Sequence, residues 1–339
     1  MQITKEQVKA WHACTDGFRW FLDKFPQGGA YADVHGALIA DKRFDDARWL
    51  VDKMYRTHLD KAEFIQAETA ATDKMVGELT SMEHPSAQVE GENSSGNYAR
   101  IGSSGNYARI GSSGYNARIG SSGNYARIGS SGNYARIGSS GNYARIGSSG
   151  YNAQIGSSGN YARIGSSGDD ARIGSSGDDA QIGSSGDDAQ IGSSGNYAQI
   201  GSSGNYARIG SSGYNAQIGS SGNYARIGSS GNYARIGSSG DDAQIGSSGD
   251  DAQIGSSGNY ARIGSSGNYA RITASGKGSV VACAGSIERI VLGEGGCASV
   301  PWYDGNRTRI AVAYVGENGI EANTPYYVND EGQFVKVEE

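Results

Sequence analysis

The sequence of 339 residues predicts a mainly β fold, a parallel β-solenoid, on three observations. First, the nine-residue unit Gly-Ser-Ser-Gly-Asn-Tyr-Ala-Arg-Ile recurs in twenty exact or slightly varied copies, the last residue falling at Ile101, Ile110 and every ninth position to Ile272. A strict period of this kind signals stacked units that bury one another's apolar faces. Second, Ala and Ile hold in every copy and lie two residues apart, so they share one face of a strand while the intervening Arg or Gln points the other way. Third, two glycines and two serines per unit each disfavour helix.

The pair before each Ala reads Asn-Tyr, Tyr-Asn (Tyr115, Tyr151, Tyr214) or Asp-Asp, swaps that a packed core would not tolerate, so the pair belongs at the surface. Gly-Ser-Ser-Gly is expected to form the corner, with glycine supplying φ > 0 and close backbone approach. A short strand plus a corner makes nine residues a half-turn. The expected coil is about 18 residues with two β-faces, and about ten coils give a rod on the order of 50 Å long. A three-sided coil is the alternative geometry. A flexible Gly/Ser linker is the alternative state, and the unbroken spacing of Ile and Ala argues against it.

The repeat divides the chain into a helical N-terminal cap at 1–90, the nonapeptide-repeat solenoid at 91–272 and a small β-rich C-terminal domain at 273–339. In the head, Thr4 is placed to cap a helix carrying Val8 and Trp11, with Gln7 three residues on. Phe18, Leu22 and Phe25 continue an apolar stripe to the Pro26–Gly29 break. Further helices are expected over Val34–Ala40, from Arg43 with Phe44, Ala47, Leu50, Val51 and Met54 on one face, and over Asp60–Ser81. The head is expected to cover the first Ile layer of the rod. In the tail, strands are expected at Ser279–Ala282, Ile287–Leu292, Thr308–Val315, Tyr326–Val328 and Phe334–Val337, separated by Gly- and Asp-rich turns.

Net charge is −6. It divides into about −5 for the head, +3 for the rod and −4 for the tail, so neither end presents a nucleic-acid surface. No apolar run reaches membrane-spanning length and no signal peptide is visible, which predicts a cytoplasmic site of action. Cys14, Cys283 and Cys297 are too few for a disulfide scaffold. His12 and Cys14 do not share a helix face, so no metal site is expected there. The rod contains neither His nor Cys. A set of near-identical units lacks the unique constellation that catalysis requires, so no enzyme and no cofactor is expected. Structural calcium is disfavoured because Asp-Asp occurs in only five of the twenty units.

In the tail, Gly296-Cys297, Tyr303 to Arg309 and Ala311 to Glu317 resemble the C-terminal module of proteins encoded in bacteriophages and prophages. In the head, Ala13 to Gly17, Phe25-Pro26 and Arg48-Trp49-Leu50 are similar to their N-terminal helical module. Those proteins carry Ala-Arg-Ile-Gly-Ser-Ser-Gly repeats as well. The resemblance implies phage origin and a three-part plan, and supplies no catalytic residues.

Two sets of residues are candidates for partner binding. An acidic belt is expected from Asp169, Asp170, Asp178, Asp179, Asp187, Asp188, Asp241, Asp242, Asp250 and Asp251, because four of these five units replace Arg by Gln and so remove the neutralising charge. Duplication of an Asp-Asp/Gln block explains the same pattern equally well, since 178–195 is identical to 241–258. An aromatic and basic ladder is expected from Tyr125, Tyr134, Tyr143, Arg127, Arg136 and Arg145. The function these suggest is a non-enzymatic phage-encoded protein whose rigid rod binds a host or phage protein, with inhibition of a host defence system by DNA mimicry as one form. Interleaved arginines weaken DNA mimicry, because duplex DNA presents negative charge continuously, and nucleic acid is not expected as a direct ligand. The alternatives are a virion- or tail-associated spacer or spike, and a binder of glycan or nucleotide ligands. Homo-oligomerisation through an open strand edge is compatible with all three.

Overall fold

The computed structural model describes residues 1–58, 61–81 and 91–337. The expected helix start at Asp60 and the head-to-rod boundary at residue 90 lie outside the described residues. Each unit of the rod places Arg or Gln, Ile, Gly and Ser in a four-residue strand, and successive strands alternate between two parallel sheets. Arg172–Ser175 pairs with Gln154–Ser157 on one side and Gln190–Ser193 on the other, like residue on like. The coil is therefore two-sided with 18 residues per turn. One sheet has thirteen strands and the other fourteen. Ile and Ala point inward as expected, and from Ser112 onward the first Ser of the unit joins them in the interior.

The corner differs from the expected one. It is built from Ser-Gly-Asn-Tyr-Ala, while the first Gly of the unit sits inside the strand with its face outward. No repeat glycine has positive φ; the left-handed residue is the second of the variable pair, Tyr, Asn or Asp, at φ 55° to 62°. The second Gly is required for closeness, because a Cβ on Gly177 would overlap the carbonyl oxygen of Gly159 one coil below. The first residue of the pair ties coils together. Asn142 Oδ1 accepts the N–H of Asn160 at 2.9 Å, and Asp169 Oδ1 accepts that of Asp187 at 3.0 Å.

The tail extends the rod. Val280–Cys283, Ile287–Leu292 and Cys297–Tyr303 stack in parallel on the preceding coils. Antiparallel strands then close both sheets: Thr308–Tyr314 on the thirteen-stranded sheet, and Pro325–Val328 with Phe334–Lys336 on the other. The strand Cys297–Tyr303 was not expected from the sequence, because Pro301 within it argues against a strand. Its edge partner Thr308–Tyr314 completes a hairpin around Asp304, whose carboxylate accepts the N–H groups of Asn306 and Arg307 and pairs with Arg309.

The head contains α1 (Lys5–Ala10), α2 (Thr15–Lys24), α3 (Tyr31–Ala40), α4 (Phe44–His58) and α5 (Ala62–Thr80). Thr4 and Gln7 form the expected capping box. The first helix stops at Ala10, with His12 at φ 59°, and Cys14 Sγ caps α2 by accepting the N–H of Gly17. Ile3, Phe21, Tyr31, Leu50, Met54 and Phe64 form a core separate from that of the rod.

The helical region does not sit over the first coil as a cap. Helix α5 runs along the outer face of the fourteen-stranded sheet, across strands from Arg127–Ser130 to Arg235–Ser238. Ala99 and Ala108 in the first coils remain only half-buried, whereas the repeat alanines from Ala117 onward are fully buried. The physical reason is the stripe Thr69, Thr72, Val76 and Leu79, whose small and branched side chains fit a glycine-floored surface. Below, the fourteen-stranded sheet is called the covered sheet and the thirteen-stranded one the open sheet.

Candidate binding faces of the rod

The rod presents two sheet faces and two edges, and each unit contributes to one of each. Because nine residues make a half-turn, units alternate between faces, which separates residues that look contiguous in sequence. The acidic candidates do not form one belt. Asp169, Asp170, Asp187, Asp188, Asp241 and Asp242 lie on the edge leading into the open sheet. Asp178, Asp179, Asp250 and Asp251 lie on the opposite edge. The ladder candidates separate likewise: Tyr125 and Tyr143 share an edge, with Arg127 and Arg145 on the covered sheet, whereas Tyr134 and Arg136 belong to the other edge and the open sheet.

Tyr107, Tyr125, Tyr143 and Tyr161 stack at 4.9 to 5.0 Å with ring planes within 7°. Rings stacked on one another present edges and hydroxyls to solvent, so the inner rings have no free face for a base or sugar. Asp179 interrupts this stack, and the head reads that interruption. Phe44 packs against Tyr143 and Tyr161 at 6.2 and 6.0 Å. Arg48 pairs with Asp179 at 2.7 Å and lies over the Tyr197 ring at 4.7 Å. Asp52 pairs at 2.5 Å with Arg235, whose side chain is 2% exposed. Ser203 donates to Asp73 at 2.7 Å.

These contacts give three of the four Arg-to-Gln changes on the covered sheet, those at Gln181, Gln199 and Gln217, a cause other than an acidic belt. Between Arg163 and Arg235, the outward positions beneath α5 read Gln181, Gln199 and Gln217, where an arginine would be buried without a partner. Arg235 keeps its charge because Asp52 faces it. Burial still lowers its pKa, with Asp52 opposing the shift. Arg163 is lowered by burial and then by Arg145, against Glu78. At the same seam burial pushes Glu68 up to about 7, opposed by Tyr31 and Tyr55, and Tyr55 Oη donates to Glu68 at 3.3 Å.

The open sheet has the same kinds of row, and among the described residues no helix lies on them. A continuous shallow trough runs from Arg100 to Arg262, floored by glycine and walled on one side by seven arginines and three glutamines. From Gly120 to Gly264, a Cβ added at any of these floor glycines would meet nothing within 4 Å. Sequence reasoning missed both faces as sites. The signal was present in alternate units: sorted by parity, Gln181, Gln199 and Gln217 fall consecutively on one face, while the other retains arginine at most positions.

Residues 1–59 match the YdhT N-terminal domain family. That stretch ends with α4, so α5 and the repeats lie outside it. The chain is also 36% identical over 75 residues to the uncharacterised protein YdhT of Escherichia coli, covering 22% of this chain and 28% of that protein. It thus spans about a quarter of the length of this curated relative. No solved structure matches the chain. These likenesses support kinship with an uncharacterised family, and the family match bears on the head alone. Cys283 is buried and its thiol is pushed up to about 12 by burial, while Cys297 is half-buried, and both are free.

Proposed function

We propose that this chain is a non-enzymatic binding protein whose rigid rod presents the open sheet to a protein partner. The observation that carries this reading is the uncovered trough, alike in its glycine and serine rows to the surface that already holds α5 on the opposite side. The resemblance of head, repeat and tail to phage and prophage proteins supports a phage-encoded protein acting in the host cytoplasm, with a host protein as target and inhibition of a defence system as the consequence. DNA mimicry is disfavoured, because the carboxylates are divided between two edges and Asp179 is committed to Arg48. Ligand stacking on the ladder from Tyr107 to Tyr161 is disfavoured for the geometric reason given above.

A photo-crosslinking amino acid placed at Gln154, on the open sheet, is expected to capture one discrete protein from host lysate. The same group at Asn142, on the edge of the covered sheet, is expected to capture none. Equal capture from both positions, or none from either, overturns the proposal. Recovery of the chain from purified virions would replace it with the structural spacer.

A further inference from the structure

The two sheets of the rod are built from the same strand, and among the described residues only one carries a helix. On the covered sheet, Leu79 lies over Gly147 and Gly165, Val76 over Gly165 and Gly183, and Thr72 over Gly183 and Gly201. Coils repeat at about 4.8 Å and helical turns at about 5.4 Å, so a helix laid along the rod brings about one residue per turn onto each glycine. Small or branched residues at spacings of three and four are what this surface selects. Glycine keeps the floor low enough for close helix approach, and the outward arginine and serine rows offer donors to acids on either flank, as Ser203 does to Asp73.

The open sheet keeps each of these features and adds an apolar end. Its glycine row continues through Ala282 and Ser299 to Val312, and its arginine row through Val280 and Cys297 to Tyr314. Val280, Ile310, Val312 and Tyr314 are 46%, 58%, 51% and 52% exposed on this face. Half-exposed apolar side chains gathered at an edge strand mark a surface that meets another molecule. Facing copies of the open sheet would oppose two arginine rows, which disfavours a second copy. Asp170, Asp188 and Asp242 beside the trough, together with Gln154, Gln190 and Gln244 in its wall, disfavour a nucleic-acid strand.

We propose that the open trough binds an acidic amphipathic helix of the partner protein. That helix carries small residues at 3–4 spacing on its buried stripe and carboxylates toward the arginine row, and its larger apolar residues rest on Val280, Ile310 and Val312. The inference rests on the binding role proposed above and specifies the form of the ligand.

A hydrocarbon-stapled peptide with the sequence of residues 62–80 is the probe, added to the full-length protein. The chain's own α5 occupies the covered sheet, which leaves the open sheet for the added helix. Saturable one-to-one binding is expected, weakened at least tenfold by Gly174→Leu, which fills the floor, and by Arg136→Glu with Arg172→Glu. Because Gly174 faces open space, the leucine is compatible with folding, and an unchanged melting curve verifies this. Four results overturn the helix: binding insensitive to Gly174→Leu; faster hydrogen exchange in α5 on peptide addition, showing displacement on the covered sheet; a dimer abolished by Gly174→Leu; or a twenty-nucleotide RNA binding in place of the peptide. A fifth result, crosslinking from Gln154 to a partner region without helix, would sink the helix while leaving the binding role intact.

Discussion

At the scale of the residue, the variable pair answers two demands. Its first position can offer an Oδ to the amide one coil above, and its second holds a left-handed backbone. Asn and Asp meet the first demand, and they also tolerate the second better than other non-glycine residues. Asn-Tyr therefore satisfies one, Tyr-Asn the other and Asp-Asp both, which is why these three pairs interchange. That vocabulary was legible as a surface signature, but its cause was not, because the accepting oxygen and its amide lie eighteen residues apart. The two repeat glycines were indistinguishable in sequence, and they do opposite jobs. Gly177→Ala is expected to destabilise the rod by about 2–4 kcal/mol, since its Cβ collides with backbone that cannot yield. Gly174→Ala, on the open face, is expected to be neutral or to stabilise by up to about 1 kcal/mol. Paired denaturant melts test the contrast, and equal effects would show that the coils are not packed as closely as the carbonyl of Gly159 implies.

At the scale of the element, α5 and α4 are joined to the rod through buried charge. The helices themselves were legible from capping and apolar spacing, but their docking was not: Thr69, Thr72 and Val76 read as a weak stripe until the glycine floor they fit is known. Asp52→Ala leaves Arg235 buried and unpaired and is expected to destabilise head docking by about 3–5 kcal/mol. Arg235→Gln is expected to be milder, because Gln217 already occupies the neighbouring outward position. Hydrogen exchange in α5 reads both, and the reverse order would place the energy in packing alone. Glu68 adds a pH dependence to the same seam. Its proton is held up to about pH 7 in the folded chain and lost near the ordinary carboxylate value of 4.5 in the unfolded one, so its stabilisation is full in acid and is lost as pH rises through 7. His35, lowered to about 4 by burial and then by Arg163, acts oppositely: its contribution is full above 6.5 and is lost as pH falls through 4. Between these limits the two slopes offset one another. The stability of Glu68→Gln relative to the parent is expected to rise by about 1–3 kcal/mol from pH 4.5 to 7 and then level; a flat difference would mean that water reaches the carboxyl.

At the scale of the whole molecule, the solenoid was legible because its period, its inward pair and its length per coil are properties of one unit repeated. The side on which the head would lie was not, because the covered and open faces have nearly the same composition and differ in the order of a few residues. Those residues set a register. Phe44 meets Tyr143 and Tyr161, Arg48 meets Asp179 and Tyr197, and Asp52 meets Arg235, so the head reads five coils at fixed spacing. Two identical eighteen-residue blocks, 178–195 and 241–258, allow that register to be tested without altering composition. Removing either one deletes a single complete coil, so every downstream strand keeps its sheet and the interior stacking of Ile on Ile closes again. Removing 241–258 takes a coil beyond Arg235 and leaves all the head's contacts in place. Removing 178–195 eliminates Asp179, brings Tyr197 into its position and shifts Arg235 one coil toward α5, away from Asp52. The shorter rods should melt alike by circular dichroism, while α5 exchanges its amides like the parent in the first variant and at least tenfold faster in the second. Equal protection of α5 in both would mean that any stretch of the repeat can hold the head, and that the irregular units are duplication alone.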